Sequence, residues 1–442
     1  MLWIELIIFL SIVIIGSRIG GIAMGTLAGI GLILFIFLFR LPVGSPPIIV
    51  LGMILAVITA LSTMEAAGGL DYLIGVAEKI MRKRPQNITL VAPIVTYVLV
   101  LSAGTQHVIY ALLPVIAEIS RKSGIRPERP IAMADIAAMQ GIVASPISAA
   151  TVAMMGILAV EGVSLPRILL IVIPSTIIAV IIGSLTVYKK GKELSEDPVY
   201  LQRLKEGKIR ELANSKSLEK KSVKRAKVSI ALFFSAILLV VVFGMFPELR
   251  PVNEIIKDGA LVADRVAMGP TIMILILTVG ALILIFLKAD PEKAVSGSVM
   301  KSGVVAIVSI LGIAWLGSSF FEGNKVVLVD GISQLIEGYH WVFGFGLFAM
   351  SIMLFSQAAT VVTLMPLGLA LGLDAELLIA LYPAVNGFFF LPTYGTILAA
   401  ISFDQTGTTK IGKYLLNHSF MIPGLVTTFS AVAIALMITQ FT

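Results

Sequence analysis

The chain has no cysteine and few charged residues. Only 13% of its 442 residues are Asp, Glu, Lys or Arg, whereas soluble domains carry about 25%. The missing cysteines exclude disulfides, thiolate chemistry and cysteine-ligated metals. The three histidines, His107, His340 and His418, are widely separated in the sequence. These absences argue against a metalloenzyme or a cysteine-based enzyme, and we expect no metal, no cofactor and no catalytic activity.

Apolar residues dominate instead. They make up 58% of the chain, and the mean hydropathy is +1.01. Runs of the ~20 apolar residues that cross a bilayer recur from the first residues to the last. The composition therefore predicts a polytopic membrane protein embedded in the lipid bilayer, with no soluble catalytic domain. The formal charge of +7 is expected to set topology rather than to bind nucleic acid.

Two apolar stretches, 88–120 and 341–372, are too long for one crossing and too short for two. Each has a small-polar cluster in its middle. The first cluster contains Ser102, Gly104, Thr105 and Gln106, and the second contains Ser356, Gln357 and Thr360. This pattern is typical of re-entrant hairpins that enter and leave by the same face.

The same parts occur in the same order in both halves of the chain. Each half has three spans, an amphipathic segment, a hairpin, an interrupted span and a last span. The predicted spans are 2–17, 21–39, 47–66, 130–160, 164–188, 228–246, 267–287, 302–320, 377–403 and 416–440, and the amphipathic segments are 71–84 and 326–336. We expect repeat 1 at 1–188, a basic linker at 189–227 and repeat 2 at 228–442.

The distribution of basic residues fixes the expected orientation. If both hairpins are re-entrant and the N-terminus lies outside, most of the 33 basic residues fall on the cytoplasmic side. The outside then keeps only Arg40, Arg167, Arg250, Lys257, Arg265 and Lys325. Each half has five crossings, an odd number, so the second is inserted upside down. The predicted fold is an all-α membrane protein of two inverted-topology repeats, the architecture of secondary transporters.

The two interrupted spans provide the other half of the predicted site. One breaks at Ser145, Pro146 and Ser148, and the other at Leu391-Pro392, followed by the set Thr393, Tyr394 and Thr396. A proline break exposes the positive end of a half-helix, which binds carboxylates or phosphates. Each cluster taken alone also fits ordinary helix packing or a kink. Because the four clusters occur symmetrically, we predict that together they bind an anionic solute.

Intramembrane ionisable residues are few. Glu65, Glu118 and Asp135 either pair with neighbouring basic clusters or serve as a proton or cation relay. His107, one residue past the first cluster, is a candidate pH-sensing or solute-binding group.

Several short strings resemble one family nearly end to end. They are Ala67–Asp71, Ile125–Pro130, Ala144–Ser148, Ile173–Thr176, Ser356–Ala359, Leu391–Tyr394, Gly407–Gly412 and Asn417–Phe420. In this respect the chain resembles the Dcu family of bacterial anaerobic dicarboxylate transporters, of the DcuA/DcuB type.

The resemblance implies antiport of four-carbon dicarboxylates across the inner membrane, with fumarate, malate or aspartate entering against succinate in anaerobic fumarate respiration. It also implies an elevator motion and, by analogy with elevator transporters, a homodimer. Glu78, Arg82 and Arg126 match charged positions linked with transport in the family. The Asp404 to Thr409 segment resembles one through which some relatives regulate a sensor kinase. A cation-coupled symporter, a channel, and a sensor or scaffold are the competing classes.

Overall fold

The computed structural model is mostly helical. It describes residues 1–19, 22–46, 48–209, 220–257, 260–336, 341–354, 356–392, 394–412 and 416–441. The helices of the first half are α1 (Leu2–Ile19), α2 (Ala23–Leu32), α3 (Ile48–Ala66), α4 (Gly69–Lys83), α5 (Ile88–Ala103), α6 (Ile109–Lys122), α7 (Glu128–Ala144), α8 (Ala149–Leu158) and α9 (Leu165–Val187). A π-helix, Ile33–Leu38, continues α2.

The rest of the chain adds ten helices and one β-hairpin among the described residues. The helices are α10 (Pro198–Lys205), α11 (Lys220–Met245), α12 (Met268–Leu287), α13 (Pro291–Ser296), α14 (Ser298–Ile336), α15 (Val342–Leu354), α16 (Gln357–Ala370), α17 (Ala375–Leu381), α18 (Gly395–Phe403) and α19 (Met421–Phe441). A 3-10 helix, Tyr382–Phe389, follows α17. The strands β1 (Val252–Lys257) and β2 (Ala260–Arg265) pair antiparallel.

Three features differ from the sequence-based expectation. The all-helical prediction was wrong at 252–265, where β1 and β2 form a ladder. The separate amphipathic segment at 326–336 was also wrong, because α14 runs unbroken from Ser298 to Ile336. Helix α11 begins at Lys220, within the stretch expected to be linker, since a helix can extend beyond the bilayer when its end is lined with lysine and arginine.

Among the residues that the structure describes, seven helices are long and apolar enough to cross a membrane, or eight if the bent pair α3 and α4 is counted as one span. That pair bends by 71°. Several shorter apolar helices lie among the described residues, including α15 and α16. One qualifying segment, Pro85–Ala103, ends in the first predicted hairpin. Length alone therefore does not distinguish a re-entrant helix from a crossing one there, and the count of ten crossings stays a prediction.

Helix α7 is the centre of the main core. All of its residues are buried except Ile142, which is partly exposed. It packs against α5, α6, α9, α19 and the 3-10 helix. A second, smaller core joins α1, α2, α14 and α15 around residues such as Phe9, Phe35 and Leu316.

Helices α2 and α14 approach closely because glycines lie at their crossing. A Cβ on Gly25 would sit 2.0 Å from the Val308 carbonyl oxygen, and one on Gly312 would sit 2.2 Å from the Gly25 carbonyl oxygen. Small residues of this kind let helix backbones meet in membranes, where van der Waals contact rather than the hydrophobic effect joins helices.

The helix contacts occur in matched pairs. Helix α2 packs on α14 as α12 packs on α3, and α1 packs on α2 as α11 packs on α12. The contact of α5 with α7 corresponds to the contact of α15 with the 3-10 helix. The contact of α6 with α18 corresponds to the contact of α16 with α8. Finally, α9 packs on α19, and α3 packs on α14.

Candidate functional site

Each predicted hairpin turns at its polar cluster. Helix α5 ends at Ala103, and Gly104 has a left-handed φ of 64°, with its N–H donating to the Val100 carbonyl at 2.8 Å. A 3-10 turn over 106–108 then leads into α6. In the other half, Ser356 caps α16 by accepting a hydrogen bond from the Ala359 N–H at 3.1 Å. Both clusters therefore lie at the junction between two helices, where the sequence predicts a turn, and the re-entrant path of the hairpins stays a prediction.

The two interrupted spans also break where expected. Helix α7 ends at Ala144, and the Ser145 hydroxyl donates to the Leu101 carbonyl at 2.7 Å, which ties the break to the first hairpin. Ser148 caps α8 by accepting from the Thr151 N–H at 3.1 Å. In the second half, α18 begins at Gly395 after extended backbone at Tyr394.

A cavity of about 150 Å³ lies where these four turns meet. One wall, the polar wall, carries all the polar side chains of the lining. It comes from the turns and breaks: Gly104, Thr105, Gln106, Ile147, Ala149, Ala150, Ser356, Gln357, Ala358 and Tyr394. The other wall is apolar and comes mainly from α3 and α14: Ile54, Val57, Ile58, Leu61, Val299 and Gly303. Ile142 of α7 completes the lining.

The cavity offers helix N-termini rather than charged side chains. The first residues of α8 and α16 line it, and Tyr394, directly before α18, joins them. Such ends carry about half a positive charge and unpaired N–H groups. None of the lining residues in the described part of the chain is charged. An anion in the cavity would therefore be held by dipoles and neutral donors, with no basic residue against which to form an ion pair.

Gln106 and Gln357 connect the halves around the cavity. The Gln106 amide donates to the Thr396 hydroxyl at 3.0 Å and lies 3.4 Å from Asp135 Oδ1. The Gln357 amide donates to the Met139 carbonyl at 3.0 Å and to Asn386 Oδ1 at 2.8 Å. Each hairpin thus bonds to the interrupted segment of the opposite half.

A family model for the anaerobic C4-dicarboxylate membrane transporters, DcuA_DcuB, matches residues 1–442. The chain belongs to this DcuA/DcuB family. The C4-dicarboxylate transporter DcuA of Escherichia coli K12 is 40% identical over 100% of both chains. That of Wolinella succinogenes is 38% identical over 99% of both. The anaerobic C4-dicarboxylate transporter DcuB of Escherichia coli O157:H7 is 37% identical over 96% of this chain and 95% of the relative.

Two solved transporter structures share the fold of this DcuA/DcuB-family chain. The YdaH transporter of Alcanivorax borkumensis superposes with a TM-score of 0.59 at 12% identity, over 89% of this chain and 85% of that one. MtrF of Neisseria gonorrhoeae, from a class of antimetabolite efflux pumps, gives 0.59 at 13% identity, over 92% and 84%. At these identities the likeness concerns the fold alone.

The structure of the DcuA/DcuB-family chain brings only part of the predicted site to the cavity wall. Gly104, Thr105, Gln106, Ser356, Gln357 and Tyr394 line it. Ser145, Ser148, Thr360 and Thr396 are buried and are not part of the wall. Ser102 is not part of it either, and Pro146 lines a separate apolar cavity with residues of α11 and α12. Thr393 lies outside the described residues.

The three charged residues implied by the resemblance are not at the cavity wall. Arg82 bonds to Glu78 at 2.9 Å and to Glu118 at 3.1 Å, joining α4 to α6. Arg126 is buried and pairs with Glu128 at 2.6 Å and with Asp197 of the linker. The predicted structural pairing of Glu118 is confirmed by these contacts.

Arg126, in the segment between α6 and α7, pairs with Glu128 of α7 and with Asp197 of the linker. These pairs hold the first part of the linker against the start of α7. Burial would raise the pKa of Asp197, but the Tyr200 N–H and the Arg126 guanidinium outweigh it, so that pKa lies below its ordinary value. Nearby, Arg203 donates to the Gln405 carbonyl at 3.0 Å. The linker therefore contacts the 404–409 loop as well.

The 404–409 loop is closed on itself. Asp404 accepts hydrogen bonds from Thr406, from the Thr408 hydroxyl at 2.8 Å and from the Thr409 N–H at 2.6 Å. Thr408 also accepts from the Glu128 N–H at 3.1 Å. The Asp404 carboxylate thus stabilises the conformation of its own loop by accepting these hydrogen bonds.

The apolar cavity wall from α3 and α14 was not predicted from the sequence. Ile54, Val57 and Leu61 of α3 look like any other lipid-facing or core residue of a span, so no signal in the sequence marks them. Asn386 was a usable signal, because an amide within the apolar run 377–390 requires a partner. Its side chain accepts the Gln357 hydrogen bond.

Proposed function

We propose that this chain exchanges four-carbon dicarboxylates, fumarate against succinate above all, through the cavity between the four turns. The proposal rests on the helix N-termini and neutral donors that meet in the cavity, where none of the described lining residues is charged. A dicarboxylate has a negative group at each end, and both hairpins contribute polar side chains to the cavity, Thr105 and Gln106 from the first and Ser356 and Gln357 from the second. Binding without an ion pair also favours release, which a carrier requires.

The substrate class is supported by the relatives. DcuA and DcuB are named C4-dicarboxylate transporters, and the chain matches them over nearly their whole lengths. An apolar wall of α3 and α14 suits the carbon backbone between the two carboxylates. The chain is thus proposed to be a transporter that performs no covalent chemistry.

We propose inverted repeats, 1–188 and 228–442, and an elevator motion. The matched contacts support the repeat: α2 on α14 corresponds to α12 on α3 if α2 is equivalent to α12 and α3 to α14. The cavity supports the elevator, since its polar wall belongs to the hairpins and interrupted spans while its apolar wall belongs to α3 and α14. In this motion the hairpins and interrupted spans would slide along α3 and α14.

We also propose an inner-membrane protein with both termini periplasmic and the central basic stretch cytoplasmic. The distribution of basic residues supports this orientation. A homodimer and a contact with a sensor kinase through the 404–409 loop are proposed on the family resemblance.

A thermal-unfolding screen tests the binding proposal. Fumarate, succinate, malate and aspartate at one hundred times their Kd should each stabilise the purified protein by about 2.7 kcal/mol, since a ligand stabilises the state that binds it. Butyrate, with one carboxylate, and citrate, with three, should have little effect.

A matched pair of variants connects this stabilisation with the cavity. Ala149 and Ala375 are each the first residue of a helix, each follows a side-chain N-cap, and each is partly exposed, but only Ala149 lines the cavity. Ala149→Phe should abolish the dicarboxylate-induced shift, while Ala375→Phe should keep it. Equal shifts in both variants would place the binding site elsewhere.

A further inference from the structure

Asp135 is a buried carboxyl group in the middle of α7. Its side chain in α7 has 0% exposure. The Gln106 amide donates to its Oδ1 at 3.4 Å and to the neighbouring Thr396 hydroxyl at 3.0 Å, and within the described part of the chain no group bonds to Oδ2. Neither the family resemblance nor the cavity assigns this residue a role, and it does not line the cavity.

No cation pairs with Asp135 among the described residues. The titratable groups that interact with it electrostatically are Tyr110 of α6 and Tyr394 before α18. Tyr97 bonds to Thr176, Tyr382 to Thr151 and Arg167 to Glu376, and at the start of α7 Glu128 and Arg129 bond to Arg126, Lys190 and Glu193. Near the end of α6, Glu118 pairs with Arg82 and Lys122, and Arg121 lies in the last turn of that helix. The side chain of His107 lies outside the described part.

An ionised carboxylate in such surroundings depends on its few donors. Without a cation, burial penalises the charged form heavily, and hydrogen bonds are the remaining compensation. Gln106 supplies one such bond, and Thr396 bonds to the same Gln106 amide. The protonated form, by contrast, is neutral and gains a donor of its own.

Gln106 connects this carboxyl to the cavity, because it lines the cavity while its amide reaches both Asp135 and Thr396. A bound carboxylate competes for the same N–H groups. It also adds negative charge close to Asp135. Both effects disfavour the ionised form of Asp135 when the cavity is filled.

We propose that Asp135 is a proton-binding site that fills when a dicarboxylate dianion binds, so that one proton moves with each dicarboxylate. This rests on the proposed function. The proton binds to the carboxylate on substrate binding and leaves when the substrate leaves. Exchange of one dicarboxylate for another then carries the proton in both directions and needs no pH gradient. Net uptake requires a proton from outside.

Proton uptake on binding tests the proposal directly. Succinate is added to purified protein in weakly buffered detergent solution with a pH-indicator dye, and bound succinate is measured by calorimetry on the same sample. We expect about one proton taken up per succinate near the pH where empty Asp135 is ionised, none in Asp135→Asn, and the wild-type value in Glu161→Gln, whose carboxyl is exposed. Equal proton uptake in wild type and Asp135→Asn would overturn the assignment.

Transport measurements supply a second readout. Asp135→Asn should keep succinate counterflow within about threefold and lose at least tenfold in net uptake driven by an inward pH gradient. Undiminished net uptake in this variant would also overturn it. If Asp135→Asn does not fold, Thr396→Val serves instead: losing the hydroxyl that bonds to Gln106 beside Asp135 leaves the ionised form in less polar surroundings and should reduce proton uptake on binding, and an unchanged value contradicts the coupling. Failure of the wild type to bind succinate would instead refute the proposed function.

Discussion

Gly104→Ala is expected to lower dicarboxylate uptake at least about tenfold, the equivalent of about 1.4 kcal/mol. The left-handed φ of 64° already strains any residue with a Cβ. The added Cβ would also lie 2.8 Å from Ile147 Cγ1 and 3.2 Å from the Ile147 carbonyl oxygen. Because Gly104 and Ile147 both line the cavity, relief of this contact must move a cavity wall.

Gly124→Ala is the matched control for this substitution. Gly124 has a φ of +74°, but a Cβ added there would meet nothing within 4 Å, so it shares the backbone strain without the contact. Initial rates of labelled succinate uptake, corrected for the amount of protein in the vesicles, compare the two. If both variants lose activity equally, backbone strain rather than the shape of the cavity explains the loss.

Arg126→Ala is expected to destabilise the protein by about 3–5 kcal/mol, the usual effect of removing one partner from a buried ion pair. Arg126 is 7% exposed, and its removal leaves the carboxylates of Glu128 and Asp197 without their guanidinium. The expected result is a lower unfolding midpoint. The linker should also become accessible to protease, because its docking depends on this pair.

Two comparisons sharpen the Arg126 experiment. Lys208→Ala removes an exposed partner of Glu206 and should leave the midpoint unchanged, since surface pairs contribute little. Adding Glu128→Gln and Asp197→Asn to Arg126→Ala should restore part of the stability by removing the uncompensated charges.

In the folded fraction of Arg126→Ala, KM for succinate should stay within about twofold, because Arg126 does not line the cavity. A large rise in KM with an unchanged midpoint would argue for substrate contact instead.

The hairpins and breaks were predictable because backbone polarity at membrane depth leaves a clear mark. Ser, Thr, Gly and Gln within apolar runs locate the turns at 104–108 and 356, and the Ser145-Pro146 and Leu391-Pro392 steps locate the breaks. Clusters of such residues favour backbone that is buried in protein or lines a cavity over an uninterrupted lipid-facing helix. The positions of the polar clusters therefore follow from solvation alone.

Other features depend on tertiary contact and left weaker marks. The apolar cavity wall from α3 and α14 resembles its apolar surroundings in those helices. The long-range hydrogen bond from Gln106 to Thr396 joins residues that no local sequence pattern relates. The β-hairpin at 252–265 had a signal, since Asp-Gly at 258–259 with flanking β-branched residues is typical of a hairpin. Arg126 could be recognised as important from the resemblance, but its partner Asp197 could be found only in the folded chain.

Counterflow in proteoliposomes shows whether the four turns form one exchange site for dicarboxylates. Vesicles holding the purified protein are loaded with unlabelled fumarate or left empty, and labelled succinate is added outside. We expect rapid labelled uptake only in the loaded vesicles when no pH gradient is imposed, and its loss in Ala149→Phe but not in Ala375→Phe. Uptake that does not depend on internal fumarate, or that survives in Ala149→Phe, would contradict it.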